Sequence, residues 1–266
     1  MRIGIHSGIP RSAHKANAGG GAADLPSTWD PFELWDGNKG ITTATGVSAW
    51  AGQISATGSI QSTPGNQPAY DASDSVFNSQ GSATFDGSGD VLQVDTADLS
   101  LLNQRFFHDD TTDWEILMVM SVPTGAPTGR TIIGTGTQDG ATGFAFSYRG
   151  SNTLRCNLQN GATRIARATT AASAVVPDAA QLLRLNYNTT SKLLSLTIDA
   201  VTATDTSTAV VDTGDAQGSL AFSATGAPLS NAQVGVAYVF ISKTIADASR
   251  KSEQNTYFNT RYGTSA

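Results

Sequence analysis

Hydrophobic and polar residues alternate along most of this chain, and clusters of glycine, serine and threonine interrupt the alternation about every ten residues. A period of two residues indicates β-strands, and turns at this spacing are typical of an all-β sandwich. Ile116–Met120 is almost wholly apolar, which predicts a central strand covered on both faces. The predicted strands are Ala83–Phe85, Val91–Val94, Trp114–Val122, Arg130–Gly134, Gly143–Tyr148, Thr153–Leu158, Arg164–Ala168, Gln181–Tyr187, Leu193–Asp199, Ser219–Ala224 and Val234–Ser242.

The loop Asn188–Lys192 joins two leucine-rich runs and predicts a hairpin between them. In the last strand, Val234, Val236, Tyr238 and Phe240 alternate with other residues, as on one face of a strand. The expected core consists of Phe85, Phe144, Phe146, Leu182, Leu183, Leu185, Leu193, Leu194, Leu196, Ile198 and Tyr238.

One short helix is predicted at the end of the chain, over about residues 244–262. Thr244 can cap its first turn, with Asp247 at the third helical position, and Gly263 can supply the left-handed residue that ends it. We expect Arg250, Lys251 and Glu253 to face outward. The face expected to pack on the sandwich comprises Ile245, Ala248, Phe258 and Tyr262.

Composition places the chain among sheet-rich extracellular or virion-type proteins rather than helical cytosolic enzymes. Charged residues make up 14% of the chain, and glycine, serine and threonine are abundant. The net charge of −6 argues against nucleic acid as a partner, because phosphate recognition requires a basic face. No apolar run is long enough for a membrane span or a secretion signal, so we expect synthesis in a host cytoplasm without a signal peptide and no membrane insertion.

Residues 1–26 differ from the rest and predict an extended docking arm, followed by a β-sandwich over 27–266. The arm is basic, rich in glycine, and has no acidic residue before Asp24. A segment of this composition becomes ordered when a neighbouring subunit holds it, so we expect it to anchor the protein in an assembly. The residues expected to make that contact are Arg2, Ile3, Ile5, Ile9, Arg11 and Lys15.

Several short phrases occur in one order along residues 29–263, and together they carry a family resemblance. They are Trp35-Asp36, Val47-Ser48-Ala49-Trp50, Gln67-Pro68-Ala69-Tyr70, Phe85-Asp86-Gly87 with Asp90-Val91-Leu92, Tyr257-Phe258 and Arg261-Tyr262-Gly263. The chain resembles the concanavalin A-like, laminin-G-like domains of bacteriophage virion proteins and bacterial surface proteins. This resemblance implies a two-sheet antiparallel jelly-roll sandwich with one short C-terminal helix, but it implies no single function.

Two positions depart from the family pattern. Gln53 stands where the family often has aspartate, and Asp199-Ala200-Val201 replaces an Asn-Gly loop. Both changes weaken the case for an inherited ligand or ion site.

Catalytic chemistry has little support in the sequence. Glycan hydrolysis requires two carboxylates across the scissile bond, and the three glutamates, Glu33, Glu115 and Glu253, are far apart. Nucleophile chemistry requires a histidine base, and His108 is the only histidine outside the arm. The single cysteine, Cys156, lies in an alternating strand, and we expect a structural thiol there.

A calcium site is considered at two acidic loops, because Ca²⁺ prefers several oxygen ligands from flexible loops. His108, Asp109, Asp110 and Asp113 are candidate ligands in the first, with a solvated acidic loop as the alternative. In the second, Asp86–Asp90, we favour a tight hairpin turn. No other cofactor is expected.

Sugar binding requires an exposed aromatic ring flanked by polar groups. Trp50 and Trp114 are expected in the core, whereas Trp29 and Trp35 are expected to seal the domain or a subunit contact. The remaining candidate is a hairpin tip formed by Tyr148, Arg149 and Asn152.

The sequence therefore predicts a non-enzymatic bacteriophage virion structural protein, displayed on the capsid or tail and anchored by its N-terminal arm. A carbohydrate-binding module for host attachment is the alternative, and a glycan hydrolase is a weaker one. The expected partners are other virion proteins, a host surface glycan and further copies of the chain, as in a trimer. The expected location is the virion.

Overall fold

The computed structural model describes residues 25, 27–54, 58–94, 107, 112–135, 143–160, 163–206, 220–223 and 231–266. They form two antiparallel β-sheets and one C-terminal helix, α1 (Ala248–Tyr262). The predicted fold class, an all-β jelly-roll sandwich with one short helix, is confirmed. The predicted arm lies outside the described residues except at its last positions.

Sheet A has eight strands in the order β15-β14-β13-β8-β17-β6-β5, with β1 pairing along the second half of β17 beyond β6. Its strands are β1 (Glu33–Asp36), β5 (Ala69–Asp74), β6 (Gln80–Asp86), β8 (Trp114–Ser121), β13 (Gln181–Asn188), β14 (Leu193–Ile198), β15 (Val201–Thr206) and β17 (Gln233–Ser242).

Sheet B has nine strands in the order β12-β11-β10-β9-β16-β7-β4-β3-β2. Its strands are β2 (Ile41–Thr43), β3 (Val47–Ala51), β4 (Gly58–Ile60), β7 (Leu92–Val94), β9 (Arg130–Gly134), β10 (Gly143–Arg149), β11 (Thr153–Asn160), β12 (Thr163–Thr169) and β16 (Ala221–Phe222).

All eleven predicted strands overlap observed ones, but six observed strands were not predicted. Four of these, β1 to β4, are three to five residues long, and β5 and β15 are edge strands whose side chains are mostly not buried. Strands of this kind carry little hydrophobic alternation, because burial on one face is what produces the pattern. The predicted hairpin at Asn188–Lys192 is confirmed, since it joins β13 to β14.

The main core lies between the sheets, and a second apolar layer lies between sheet A and α1. In β8, residues of the two apolar layers alternate: Ile116 and Met118 belong to the main core, whereas Leu117 and Val119 pack under the helix. Every residue of β8 is buried, which confirms the prediction of a central strand covered on both faces. All predicted core residues are buried except Leu193, which is half-buried.

Strand β17 also supplies both layers, and its register against β8 shifts between Val236 and Tyr238. Val234 and Val236 enter the main core, but beyond the shift Tyr238 and Phe240 face the helix. The expectation that these four residues share one face is therefore wrong. A β-bulge adds one residue to the strand, and the side chains that follow change faces.

Helix α1 begins later than predicted. Asp247, rather than Thr244, is the N-cap, and its Oδ1 accepts a hydrogen bond from the Arg250 backbone N–H at 2.8 Å. Gly263 ends the helix in the left-handed conformation with φ 72°, as predicted. The buried helix residues are Gln254, Phe258 and Tyr262, whereas the predicted contact residue Ala248 is exposed and Ile245, which precedes the helix, is half-buried.

All four tryptophans are fully buried. Trp50 and Trp114 lie in the main core as predicted, and Trp35 joins them, in edge-to-face contact with Phe222. Trp29 lies in the helix layer, with its ring against Phe258. Trp29 and Trp35 therefore close the sandwich itself.

Candidate functional site

One face of sheet B carries an array of arginines. Along β10 and β11 the core residues, such as Phe146 and Cys156, alternate with polar side chains that point away from the core. Several of these outward residues, and their partners on β12, are arginines. We call the set the arginine face: Ser147, Arg149, Arg155, Asn157, Gln159, Arg164, Arg167 and Thr169.

Polar neighbours hold three of these arginines in place. Arg149 Nε donates to Ser147 Oγ at 3.2 Å, and Arg155 Nε donates to Thr169 Oγ1 at 3.3 Å. Arg167 Nε donates to Asn157 Oδ1 at 2.9 Å.

The register brings these groups close together. Arg155 lies opposite Ser147 on β10 and opposite Thr169 on β12, and Asn157 lies opposite Arg167. Three guanidinium groups thus share a continuous patch in which hydroxyl and amide groups fix their orientation.

The charge of this region contrasts with that of the whole chain. No acidic residue occurs between Asp139 and Asp178, although the protein has a net charge of −6. The same stretch contains all four arginines of the face. Among the described residues, the Asp205 carboxylate of sheet A approaches this region, where its Oδ2 accepts a hydrogen bond from the Arg167 backbone N–H at 2.6 Å. This bond satisfies a backbone donor on β12, the edge strand of sheet B. The carboxylate therefore joins the edges of the two sheets.

The predicted sugar-binding cluster differs from its expected form. Tyr148 is only 6% exposed, and burial raises the pKa of its hydroxyl. The hydroxyl donates to Asn152 Oδ1 at 2.5 Å. The expectation of an exposed aromatic ring here is wrong, because Tyr148 occupies a core position of β10. Arg149, its neighbour, belongs to the arginine face instead.

Asp113, a predicted metal ligand, has a structural role. Its Oδ1 accepts hydrogen bonds from the backbone N–H and hydroxyl of Thr189, at 2.8 and 2.7 Å, and its Oδ2 accepts one from Asn188 Nδ2 at 3.2 Å. The carboxylate therefore anchors the β13–β14 hairpin loop. The other three candidates, His108, Asp109 and Asp110, lie outside the described residues, so this calcium site stays a prediction.

The second acidic loop, Asp86–Asp90, is a tight turn, but it is not a hairpin, because it leads from β6 in sheet A to β7 in sheet B. Asp90 Oδ2 accepts a hydrogen bond from the Asp86 backbone N–H at 2.8 Å, and Asp86 Oδ1 accepts one from the Ser88 N–H at 2.7 Å. Burial, with the nearby Asp86 carboxylate as a further cause, raises the pKa of Asp90.

Among the residues that the structure describes, no three or more His, Cys, Asp or Glu side chains are grouped so that they could hold a metal ion. In this described part of the chain, no helix has the length and apolar character required to cross a membrane.

The remaining sequence candidates are placed as follows. Cys156 is buried in the main core, and burial raises the pKa of its thiol, in agreement with a structural role. Glu33 and Glu115 are buried, and Glu253 is exposed on α1. The proposed arm contacts Arg2, Ile3, Ile5, Ile9, Arg11 and Lys15 all lie outside the described residues.

The arginine face was missed because its members are spread over three strands. A signal was nevertheless present in the sequence: Gly140–Pro177 contains four arginines and no acidic residue. In a strongly alternating β-protein, arginines at positions opposite in phase to the hydrophobic residues fall on the outward face.

Comparisons with known proteins identify a fold and no family. No family model matches the chain, and no curated protein is significantly similar to it. A Trypanosoma rangeli sialidase in complex with 2,3-difluorosialic acid has 14% identity and a TM-score of 0.55, over 92% of this chain and 35% of that one. The NanB sialidase of Streptococcus pneumoniae has 8% identity and a TM-score of 0.50, over 64% of this chain and 27% of that one.

A weaker likeness, with a TM-score of 0.44 and 9% identity, is to the CBM40 module of a Ruminococcus gnavus sialidase bound to sialyllactose. It covers 57% of this chain and 84% of that one. The chain thus spans about a third or less of the two sialidases. At these identities, the similarity to the two sialidases shows a shared fold alone.

Proposed function

We propose that this protein is a non-enzymatic β-sandwich module that binds acidic glycans through its arginine face. The observation that carries the proposal is the array of Arg149, Arg155 and Arg167, each held by a polar neighbour on the same face of sheet B. Guanidinium groups match the planar geometry of carboxylates and bind them through two parallel hydrogen bonds.

The fixed orientation of these three arginine side chains supports the proposal. An arginine that is already fixed by a hydrogen bond loses less conformational entropy when a ligand binds. In each of the three pairs the Nε–H makes the intramolecular bond, and Nε is the guanidinium nitrogen nearest to the chain. Arg155 illustrates the consequence: with its Nε directed to Thr169, the two terminal nitrogens are suitably placed to meet a carboxylate.

Sialylated oligosaccharides are the first acidic glycans to test. One structure of the T. rangeli sialidase contains sialic acid, a carboxylated sugar, although its likeness to this chain concerns the fold. The exposed hydroxyl of Thr169, beside Arg155, would match a sugar hydroxyl. The arginines would select the acid.

The glutamates support a binding role rather than hydrolysis. Glu33 Oε1 accepts hydrogen bonds from the backbone N–H groups of Leu34 and Ile54, at 2.8 and 3.1 Å. Glu115 forms a buried ion pair with Arg184 at 3.0 Å. Both carboxylates therefore maintain the fold, whereas a glycosidase needs a pair of carboxylates facing one cleft.

Display on a bacteriophage virion remains part of the proposal. It rests on the ordered phrases from Trp35 to Gly263 and on the composition of residues 1–26. In this account the arm docks the module on the capsid or tail, and the arginine face meets a host surface glycan. Deleting residues 2–24 should leave a folded protein that no longer joins the particle.

A glycan array tests the binding proposal most broadly. The array should present sialylated, uronic-acid-containing and sulfated oligosaccharides, each beside its neutral parent. We expect the full chain to bind acidic members, carboxylated ones above all, and not the neutral parents. Equal binding to acidic and neutral members, or no binding to any acidic glycan, would overturn the proposal.

A further inference from the structure

A second polar recess lies on the opposite side of the molecule, between sheet A and α1. It has a volume of about 270 Å³. Its floor is the outward face of β13, β14 and β15, and its wall is the first half of the helix. The residues that line it are Leu182, Arg184, Asn186, Ser195, Thr197, Asp199, Thr202, Lys251, Asn255 and Ala266, and we call it the helix cleft.

The floor of the helix cleft is an ordered array of polar groups. Asn186 lies opposite Ser195, and Arg184 lies opposite Thr197, which in turn pairs with Thr202. The hydroxyls of Thr197 and Thr202 are 3.0 Å apart and bond to each other. These side chains line a recess beside Lys251 and Asn255 of α1.

Arg184 fixes the wall of the cleft against its floor. Its Nη1 donates to Glu115 Oε2 at 3.0 Å and to Gln254 Oε1 at 2.7 Å, and its Nη2 donates to Asn255 Oδ1 at 3.3 Å. Arg184 and Glu115 are 6% and 1% exposed. The ion pair and its two amide partners hold α1 at a set distance from β13, so the cleft is preformed.

Asn186 is the residue that points to a ligand. It is 7% exposed and lines the cleft, yet its side-chain amide forms no hydrogen bond with any described residue. The Ser195 hydroxyl and the Lys251 ammonium, which also line the cleft, likewise form none with residues that the structure describes. Neither polar atom of the Asn186 amide is sealed from solvent, so water satisfies it in the free protein and a ligand with matching donors and acceptors can replace that water.

We infer that the helix cleft is a second binding site, for a neutral polyhydroxylated ligand the size of one sugar ring. Its volume of about 270 Å³ is slightly smaller than that of drug-sized ligand sites, which begin at about 300 Å³, so a single ring is the largest ligand that fits. Its lining contains one further residue of each charge, Lys251 and Asp199, and Arg184 is neutralised by its ion pair with Glu115. The unpartnered amide and hydroxyl offer both donors and acceptors, which is what vicinal hydroxyl groups require. The inference is independent of the arginine face.

Amide-resolved NMR of the full chain tests the inference, with the methyl glycosides of galactose, glucose and N-acetylglucosamine and with glycerol as probes. We expect at least one neutral probe to shift the side-chain amide signals of Asn186 and Asn255. Asn186→Leu should weaken that binding at least about tenfold while leaving the protein folded, because it removes no intramolecular hydrogen bond. Thr84→Val, on an exposed position of the same sheet in β6, should leave the affinity unchanged.

Three results would overturn the inference: no probe shifts these signals, Asn186→Leu binds as tightly as the unaltered protein, or galacturonate binds the cleft more tightly than methyl galactoside. Arg155→Met, which alters the arginine face, should not change binding of the neutral probe. Failure of acidic-glycan binding and failure of the helix cleft are therefore separate outcomes.

Discussion

The Asp36 carboxylate, at the end of β1, accepts two hydrogen bonds from Arg261 Nη2, near the end of α1, at 3.0 and 2.8 Å. Both side chains are largely buried, with 4% and 11% exposed. The Asn38 backbone N–H also donates to Asp36, at 3.0 Å. Asp36 belongs to the first of the ordered sequence phrases and Arg261 to the last. The two phrases therefore meet in one ion pair.

Removing Arg261 should be costly, because it leaves the buried Asp36 carboxylate without its cation. We expect Arg261→Met to lower the free energy of unfolding by about 3 kcal/mol, measured by urea denaturation. Arg250→Met is the matched control on the same helix: its guanidinium makes only long hydrogen bonds, of 3.5 and 3.3 Å, and should cost much less. The double variant Asp36→Asn, Arg261→Met should lose less than the sum of the single losses. Equal costs at Arg261 and Arg250 would contradict this account.

The N-cap of α1 gives a second prediction, which tests whether Asp247 or Thr244 caps the helix. Asp247→Ala should lower stability by about 1 kcal/mol, because the Arg250 N–H loses its acceptor. Thr244→Ala should cost less, since Thr244 precedes the cap. Thermal unfolding of both variants decides the matter, and a larger loss at Thr244 would restore the assignment made from the sequence.

Gly37 and Gly81 approach each other so closely that neither can carry a side chain. A Cβ on Gly81 would lie 2.3 Å from the Gly37 carbonyl oxygen, and neighbouring backbone leaves no room for relief. We expect Gly81→Ala to destabilise the protein by about 3 kcal/mol in urea titrations. Gly58→Ala serves as the control, because a Cβ there meets no atom within 4 Å. Similar stabilities of the two variants would show that the two backbones do not meet in solution.

Asp90 predicts a pH dependence of stability. Its pKa is raised above the ordinary 3.8, mainly by burial, so the folded state holds a proton that the unfolded state has released. Stability should therefore fall as pH rises from about that value through the raised pKa. Asp90→Asn should remove this fall, since the introduced amide oxygen can still accept from the Asp86 N–H.

Asp178 provides the control of opposite sign. Hydrogen bonds from the side chain and backbone of Thr124 lower its pKa, so its contribution to stability is present above the ordinary value and is lost as pH falls. Urea unfolding between acid and neutral pH measures both. If Asp90→Asn is less stable than the unaltered protein at neutral pH, and more so as pH rises, the assigned direction at Asp90 is wrong.

Hydrophobic alternation predicted the interior of the fold but little of its edges. Leu183 and Leu196 were placed in the core because burial on one face imposes a two-residue period. Strand β5 escaped prediction because its exposed side chains carry no such period. The faces of Tyr238 and Phe240 were misplaced, since a bulge depends on pairing with β8, which the local pattern does not encode.

The candidate sites depended even more on tertiary placement. Arg155 and Arg167 become neighbours of Ser147 and Asn157 only when β10, β11 and β12 pair in register. Tyr148 looked like an exposed ring at a hairpin tip, but its phase along β10 places it with Phe146 in the core. The outward position of the arginines and the buried position of Tyr148 both follow from the alternation of inward and outward side chains along the stretch without acidic residues. That alternation alone would have predicted both.

The most direct test of acidic-glycan binding is calorimetric titration with 3′-sialyllactose and with lactose, its neutral parent. The unaltered protein should bind 3′-sialyllactose and not lactose. The double variant Arg155→Met, Arg167→Met should lose at least about tenfold in affinity, since each charge-assisted hydrogen bond contributes roughly 1.5–3 kcal/mol. Arg250→Met, on the helix, should bind as the unaltered protein does. Equal affinity for the two sugars, or an unchanged affinity in the double variant, would contradict the account.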